Sequence, residues 1–405
     1  MKDKNLTEAG YQPSLICFLV ARICAATANQ LIAIAIGWQI YALTQSALYL
    51  GLVGLMQFIP LILFTLFAGY AADRFNRKWI ISIAFCIQIC NFMLLAYSSF
   101  QGNVNAHMLL IAAFLAGTAN SMGGPSMQSL LPHIVPAEVF PKAAAWNASG
   151  FQAATIIGPA LGGLLYAIGA HVVYATAASI ILIALCAMMI LKVRTREVSK
   201  EPVTIRTMLA GISYIKSRPV ILGAISLDLF AVLFGGATAL LPIYAATILH
   251  VGSEGLGILR AAPAVGALLI SFLMARKPIE RKVGISMFSA VIVFGIATIT
   301  FALSKSFIVS IIALFILGAS DVVSVVIRST LVQLQTPDEM RGRVSSVNQI
   351  FIGTSNQLGE FESGITAAWF GAVPAAIIGG CGTILIVLLW MKLFPALRKK
   401  DRFME

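Results

Sequence analysis

Charged residues are scarce in this sequence, and acidic residues are scarcer than basic ones. Only 11% of the 405 residues are Asp, Glu, Lys or Arg, whereas 59% are hydrophobic. Soluble domains carry about 25% charged residues, so a water-soluble protein is excluded. The hydrophobic residues are grouped in long blocks, for example 48–68 and 308–326. Blocks of about 20 residues match a bilayer core of about 30 Å, which predicts an integral membrane protein.

The sequence also lacks the motifs of several kinds of chemistry. It contains no G-x-x-x-x-G-K-[ST] nucleotide-binding loop, no H-E-x-x-H zinc motif and no G-x-S-x-G nucleophile turn. Its four histidines stand singly, and its six cysteines form no C-x-x-C pair. We therefore expect no cofactor, no metal site and no enzymatic activity. A membrane-embedded enzyme and a channel remain as alternatives from other functional classes.

Twelve hydrophobic segments are predicted to be transmembrane helices. They cover residues 14–42, 48–70, 79–99, 107–131, 144–168, 171–192, 219–247, 254–275, 283–303, 307–330, 344–369 and 373–394. Of the 28 Lys and Arg residues, all but Arg22, Arg260, Lys305 and Arg328 lie in the two tails and the loops after even-numbered helices. This asymmetry predicts that both termini are cytoplasmic, in a multi-pass protein of the plasma (bacterial inner) membrane. The net charge of +12 thus reflects topology and contact with anionic lipids, and no nucleic-acid partner is expected.

The two halves of the chain resemble each other. Segments 130–163 and 331–364 align without gaps, and the matched positions include Pro136 with Pro337 and Gly158 with Gly359. Six helices per repeat is an even number, so both copies insert in the same orientation. We predict an N-terminal six-helix bundle (1–192), a cytoplasmic linker (193–218) and a C-terminal six-helix bundle (219–405). Hydrophobic residues at helical spacing in the linker predict a short amphipathic helix at the membrane surface.

A compact motif follows predicted helix 2. It reads Gly69-Tyr70-Ala71-Ala72-Asp73-Arg74-Phe75-Asn76-Arg77-Lys78. This resembles the signature G-x-x-x-D-R-x-x-R-[RK] of the major facilitator superfamily, at the loop position typical of that family. The resemblance covers essentially the whole chain. It implies an all-α fold of twelve transmembrane helices in two pseudo-symmetric six-helix bundles, transport by alternating access, and a monomer.

The resemblance also implies a gating function for Gly69, Asp73, Arg74 and Arg77. An aspartate at the cytoplasmic end can pair with arginine and with the positive N-terminal end of a helix, which would hold the cytoplasmic side closed. The alternative is that these charges only anchor the topology. The matching loop of the second half, Arg276 to Lys282, keeps the basic residues but has no aspartate.

Predicted helix 5 contains Gly158-Pro159-Ala160-Leu161-Gly162-Gly163. It resembles the G-P-x-x-G-G core that the superfamily associates with antiporters and exporters, which favours export over uptake. Small residues permit close helix approach and proline bends a helix, so Gly158, Pro159 and Gly162 are expected to act in gating. Predicted helix 4 lacks the arginine found in ordinary multidrug antiporters. The overall pattern is more similar to the branch of enterobactin-type siderophore exporters and macrolide efflux proteins.

Charged residues within the predicted helices are the main site candidates, because each costs at least about 2.5–3.5 kcal/mol at membrane depth. In the family fold, helices 1, 4, 7 and 10 line the central cavity, which would expose Arg22, Asp228 and Asp321 to substrate. An interaction of Arg22 with Asp228 is expected. Arg328 is expected either to act in gating or to pair with Asp321, two turns earlier on the same helix. Polar residues add further substrate contacts, for which the candidates are Asn29, Gln30, Asn356 and Glu360, the last preferred to Glu362.

The hypothesis from these residues is a proton-coupled exporter of a small organic molecule. Asp321 and Asp228 would couple proton entry to substrate exit, and the alternative is that Asp321 has a structural role. Arg22 fits an anionic siderophore-like metabolite, whereas the acidic second half fits efflux of cationic or macrolide-like drugs. An uptake symporter and a metal-ion carrier are less favoured, because the His and Cys residues do not converge. The expected partners are the substrate, protons and the lipid bilayer.

The charge asymmetry makes a testable prediction about topology. Fluorescent-protein fusions at either terminus or in the 193–218 linker should fluoresce, because those positions are expected in the cytoplasm. Alkaline phosphatase inserted near Gly252, in the loop after predicted helix 7, should be active because this loop is expected outside. Termini that report opposite faces of the membrane would contradict the predicted even number of spans.

Overall fold

A computed structural model describes residues 2–74, 76–192 and 205–404. Within these ranges, the side chains of residues 2–10, 65–74, 205–209, 338, 339 and 346 are not described. The described residues form helices joined by short loops, and none of them forms a β-strand. Away from its ends, a helix satisfies its backbone hydrogen bonds within one segment, which the hydrocarbon interior requires.

The first six transmembrane helices match the predicted segments, and each begins earlier than predicted. Their bounds are TM1 Lys2–Thr44, TM2 Ala47–Arg74, TM3 Arg77–Phe100, TM4 Ala106–Leu130, TM5 Phe140–Ile168 and TM6 Ala170–Ile190. A linker helix, Ile205–Ser217, precedes the second set. Polar side chains cap the beginning of two helices: Asn76 and Asn105 accept backbone hydrogen bonds at the first turn of TM3 and TM4.

The second set also has six members. They are TM7 Pro219–Phe234, TM8 Gly252–Arg276, TM9 Val283–Leu303, TM10 Phe307–Gln335, TM11 Asp338–Phe370 and TM12 Ala372–Leu393. TM7 continues beyond Phe234 as a 3₁₀ turn, Gly236–Leu240, one further α-turn and a π-helical turn, Tyr244–Ile248. A β-carbon at Gly235 would overlap the ring of Phe294, so this irregular segment lies close to TM9.

Eleven helices within the described ranges are long and apolar enough to cross a membrane. TM11 is the twelfth helix. Its 33 residues exceed the roughly 20 needed to span the bilayer, but it carries more charged residues than the others, including Glu360 and Glu362. The predicted all-α fold with twelve transmembrane helices is confirmed.

Contacts divide the chain into two compact units. Unit 1 comprises Met1–Gln39 with Ile59–Pro202, and unit 2 comprises Ile40–Phe58 with Val203–Glu405. The beginning of TM2 is therefore grouped with the second half of the sequence. In unit 1, TM3 packs against TM4 and TM6. Lys78 at the start of TM3 donates to the carbonyls of Met189 (2.7 Å) and Leu191 (3.0 Å), which caps the end of TM6.

The core of unit 2 lies among TM7, TM9, TM10 and TM12, where Leu227, Phe288 and Ile327 are almost fully buried. The linker helix belongs to this unit. Its Ile215 is buried with Val344 and Val347 of TM11, and Tyr214 Oη donates to the carbonyl of Gln335 (3.0 Å). The linker helix therefore packs on protein through these residues, and its predicted position at the membrane surface stays a prediction.

The segment after TM12 also packs into unit 2. The short helix Pro395–Arg398 buries Leu397 completely. Beyond it, the carbonyls of Lys400 and Asp401 accept hydrogen bonds from the amides of Gly284 (3.0 Å) and Val283 (3.2 Å). The first amides of a helix have no partner within the helix, so this segment caps the beginning of TM9.

Close packing at that cap makes Gly284 sensitive to substitution. A β-carbon at this position would overlap the carbonyl oxygen of Leu397. Gly284→Ala should therefore displace the capping segment and lower the free energy of unfolding by about 1–3 kcal/mol. The measurement is denaturation of the purified protein in detergent. Gly124→Ala is the matched control, because nothing lies within 4 Å of its β-carbon. Equal stability of the two variants would contradict the proposed cap.

Candidate functional site

A buried ion pair lies between TM7 and TM10. Arg328 Nη2 is 3.2 Å from Asp228 Oδ2, and the two side chains are only 4% and 8% exposed. Arg328 Nη1 also donates to Asn348 Oδ1 of TM11 (2.7 Å), which fixes the guanidinium between three helices. Removing one partner of such a pair leaves an uncompensated charge, so the two residues stabilise each other.

Asp321 lies on TM10, two helical turns before Arg328. It lines a small cavity together with Asp228, Ser320 and Ser324. Asp321 is within electrostatic range of both Asp228 and Arg328, but in the described part of the chain it makes no hydrogen bond or ion pair. Two carboxylates therefore lie near one guanidinium, and only that of Asp228 is ion-paired with it. An Asp321–Arg328 pair was the alternative considered from the sequence, and the structure pairs Arg328 with Asp228 of another helix.

Ser324 has an unusual environment for a hydroxyl within a helix. Its side chain is 2% exposed and its Oγ has no hydrogen-bond partner. By contrast, Ser320 Oγ donates to the carbonyl of Leu317 (2.9 Å) and Ser329 Oγ to that of Val326 (3.0 Å). The cavity beside Asp321 thus contains a buried polar atom whose bonding capacity is unused.

The other two acidic residues that the sequence places well inside a transmembrane helix, Glu360 and Glu362, lie on TM11. Glu362 accepts a hydrogen bond from Thr366 Oγ1 (2.9 Å). Glu360 packs against the start of TM2, where a β-carbon on Gly54 would lie 2.7 Å from Glu360 Cβ, and it is within electrostatic range of Arg260. Asn356, one turn earlier, is exposed. Glu360 and Glu362 therefore have different surroundings, as their spacing of two residues requires.

The candidate substrate-binding residues of unit 1 lie on TM1. The guanidinium of Arg22 stacks over the ring of Phe151 of TM5, 4.9 Å from its centroid. Such a cation–π contact stabilises a cation that has few polar partners. The sequence led us to expect an interaction of Arg22 with Asp228; the ion-pair partner of Asp228 is Arg328.

Two turns along TM1, Asn29 takes part in an amide cluster. Asn29 Nδ2 donates to Asn120 Oδ1 of TM4 (3.3 Å), and Gln88 Nε2 of TM3 donates to the same oxygen (3.1 Å). Gln88 is 3% exposed and its Oε1 has no partner, whereas Asn120 is exposed. Sequence reasoning missed Gln88 and Asn120. Their presence in the middle of hydrophobic segments was the available signal.

The glycines of TM5 lie against TM1. A β-carbon at Gly158 would lie 2.6 Å from Gln30 Cβ, and one at Gly162 would lie 3.3 Å from Ile34 Cβ. Pro159 is inside the helix, where it removes a backbone donor. The motif therefore gives a close TM1–TM5 contact within unit 1, and Gln30 is part of that contact.

The loop after TM2 is described from Asn76 onward. Gly69, Asp73 and Arg74 lie among the residues whose side chains the structure does not describe, so their predicted gating function stays a prediction. Arg77 Nη1 donates to the ring of His133, with 2.9 Å to Nε2. The other ring nitrogen, Nδ1, is 3.0 Å from the carbonyl of Ser129, so a neutral His133 protonated at Nδ1 satisfies both contacts.

Comparison with known proteins gives a consistent result along the chain. The sequence pattern of the Major Facilitator Superfamily matches residues 18–360. The chain is 25% identical over 402 residues to the enterobactin exporter EntS of Citrobacter koseri, covering 98% of this chain and 95% of that protein. It is 24% identical over 400 residues to the enterobactin exporter EntS of Shigella boydii, with the same coverage.

Solved structures show the same fold. A mutant of the nucleoside transporter NupG superposes with a TM-score of 0.73 at 15% identity, covering 94% of this chain and 100% of that one. A bacterial homologue of the iron transporter ferroportin, in its inward-facing state, gives a TM-score of 0.70 at 15% identity over 96% and 99% of the two chains. At these identities the similarity concerns the fold alone.

The buried ion pair makes a prediction about stability. Arg328→Gln should lower the free energy of unfolding by about 3–5 kcal/mol, because it leaves Asp228 charged and unpaired in a low-dielectric site. The double variant Asp228→Asn with Arg328→Gln should recover most of this loss, since no buried charge remains. Denaturation in detergent measures both. If the double variant is as unstable as the single one, the charge pairing is not what stabilises this site.

Proposed function

The chain belongs to the Major Facilitator Superfamily, and from this premise we propose that it is a proton-coupled exporter of a siderophore-like metabolite that works by alternating access. As a member of that family it is a multi-pass inner-membrane transporter of small molecules. The proton coupling, the direction and the substrate are the proposed steps, and each rests on separate observations.

The observation that carries the proposal of coupling is the placement of two carboxylates beside one guanidinium. With Asp228 paired to Arg328, Asp321 adds a negative charge that is not balanced by a partner of its own. An unbalanced charge is costly at membrane depth, and a proton bound to Asp321 removes it. Proton uptake would thus make the site neutral, and proton release would make it negatively charged. Each proton that crosses the membrane supplies about 2.3 kcal/mol per 100 mV.

Export is supported by the relatives. The similar proteins named enterobactin exporters match this chain over 98% of its length, so the similarity includes both units. The Gly158-Pro159 motif of TM5 is consistent with this direction. By the family resemblance, the loop around Asp73 and Arg77 closes the cytoplasmic side while substrate is released outside, with both termini in the cytoplasm.

A polar, anionic substrate suits unit 1. Arg22 offers a guanidinium stacked on Phe151, and Asn29 with Asn120 offers amide groups about 10 Å further along TM1, given seven residues at 1.5 Å each. A planar acidic compound can contact the guanidinium while its hydroxyl or carbonyl groups bond to the amides. In unit 2, the exposed amide of Asn356 is a further candidate contact.

The second candidate function is efflux of cationic or macrolide-like drugs. It is favoured by the acidic residues of unit 2, since Asp321 and Glu360 would attract a cation. The two functions differ in the charge of the substrate, so Arg22→Gln should impair export of an anion and leave export of a cationic drug unchanged.

The test of the metabolite proposal uses a deletion strain. Under iron limitation, loss of this protein should reduce siderophore in the medium and raise it in the cells, and re-expression should restore release. Susceptibility to macrolides and cationic dyes is measured in parallel. Unchanged siderophore release with increased drug susceptibility would overturn the metabolite proposal in favour of drug efflux.

The test of coupling is Asp321→Asn, which keeps the shape and removes the titrating group. In proteoliposomes with an imposed proton gradient, the variant should lose gradient-driven transport. Loss of one coupled charge removes about 2.3 kcal/mol per 100 mV, or a factor of about 50 in the substrate gradient. Ser329→Ala, at the residue that follows Arg328 and outside the cavity lining, is the control. Undiminished gradient-driven transport by Asp321→Asn would remove Asp321 from the coupling step.

A further inference from the structure

The cavity beside the Asp228–Arg328 pair has the composition of a cation site. Its polar lining consists of Asp228, Asp321, Ser320 and Ser324, and the rest of its wall is apolar, from Ala231, Val232, Val291 and Phe294. It has room for about one water-sized particle. Because carboxylate and hydroxyl oxygens are the ligands that hard cations prefer, the lining suits a small hard cation.

The unpartnered hydroxyl of Ser324 is the second, independent observation. A serine within a helix ordinarily donates to a carbonyl three or four residues earlier, as Ser320 and Ser329 do on the same helix. Ser324 Oγ is buried in the cavity wall and makes no such bond. A buried polar atom without a partner needs a ligand to satisfy it, and a bound cation would accept its lone pair.

The end of TM7 contributes an electrostatic field that favours a cation in the cavity. Its regular α-helix ends at Phe234, within one turn of Ala231 and Val232 in the cavity wall, and continues as a 3₁₀ turn. The C-terminal end of a helix carries a partial negative charge, which favours a cation nearby. Interrupted transmembrane helices form the cation sites of other transporters by the same physics.

The net charge of the residues around the cavity determines the charge of the cation that it can bind. When Asp228, Asp321 and Arg328 are all ionised, this part of unit 2 carries one net negative charge. One monovalent cation neutralises it, whereas a divalent cation would leave an excess positive charge at membrane depth.

We propose that this cavity is a binding site for one small monovalent cation, Na⁺, which exchanges with the proton of Asp321. As Na⁺ enters, the carboxylic acid of Asp321 releases its proton to water; as a proton returns, Na⁺ leaves. The inference rests on the proposed coupling function and adds a second coupling ion to it. Since the apolar wall limits the space, the larger K⁺ should not bind.

The test measures ²²Na⁺ binding to the purified full-length protein in detergent, without any transported substrate. At alkaline pH the wild type should bind Na⁺ saturably, protons should compete and K⁺ should not. Asp321→Asn should abolish binding. Ser324→Ala should weaken it about tenfold, a loss of about 1.4 kcal/mol. Ser329→Ala should bind as the wild type does, and size-exclusion chromatography checks that every variant is folded.

The outcomes separate this inference from the coupling proposal. No saturable Na⁺ binding to the wild type, or binding that neither Asp321→Asn nor Ser324→Ala affects, would overturn the inference. Proton-driven transport by the same wild-type protein would then still support the proposed function. Conversely, Na⁺ binding that depends on Asp321 supports the inference even if a proton gradient drives no transport.

Discussion

Hydrocarbon cannot solvate charge, and this constraint determines where the functional groups of the protein lie. Within unit 2, Arg328 is held by Asp228 and Asn348 of neighbouring helices, which compensates the guanidinium that TM10 carries into the membrane. Asp321 is the group left over after that pairing. Its uncompensated charge distinguishes it from the ion pair. The two charges of the pair compensate each other, whereas the negative charge of a lone carboxylate is neutralised only when a proton or a cation binds.

Glycine provides close helix contacts beside two other candidate residues, Glu360 and Gln30. In unit 2, a β-carbon on Gly51 of TM2 would lie 2.9 Å from the Cα of Gly364 of TM11, and Gly54 meets Glu360 one turn away. In unit 1, Gly158 meets Gln30 in the same manner. Without an apolar driving force between helices in lipid, such backbone proximity supplies the dispersion contacts that hold them together. A polar side chain next to a glycine is thereby fixed in position.

The sequence predicted the fold and the family, because hydrophobic blocks reflect the bilayer and the motif after TM2 resembles the family signature. It also singled out Asp228 and Arg328 as charges carried by predicted helices. It did not identify them as a pair, because it expected Arg22 to interact with Asp228. Only Asp321 was considered as a partner of Arg328, since spacing along one helix says nothing about contacts between helices. Uncharged Gln88 and Asn120 were missed since amides are cheaper to bury than charges. The periodicity of the linker cannot distinguish an apolar face that meets lipid from one that meets protein, so the contacts of the helix Ile205–Ser217 could not be read from the sequence. The functional roles of the site residues stay predictions.

The capping of TM9 imposes an order on biosynthesis. The amide of Lys282 bonds to the side chain of Asp401, 119 residues later, and the neighbouring amides bond to carbonyls of the same segment. TM9 is therefore translated before its cap, and its first amides have no partner from that segment until Asp401 has been made. Three further helices are synthesised before Leu397 and Asp401 reach it. The contacts that cap TM9 are consequently among the last of unit 2 to become possible during synthesis, and a chain that ends within TM12 lacks them.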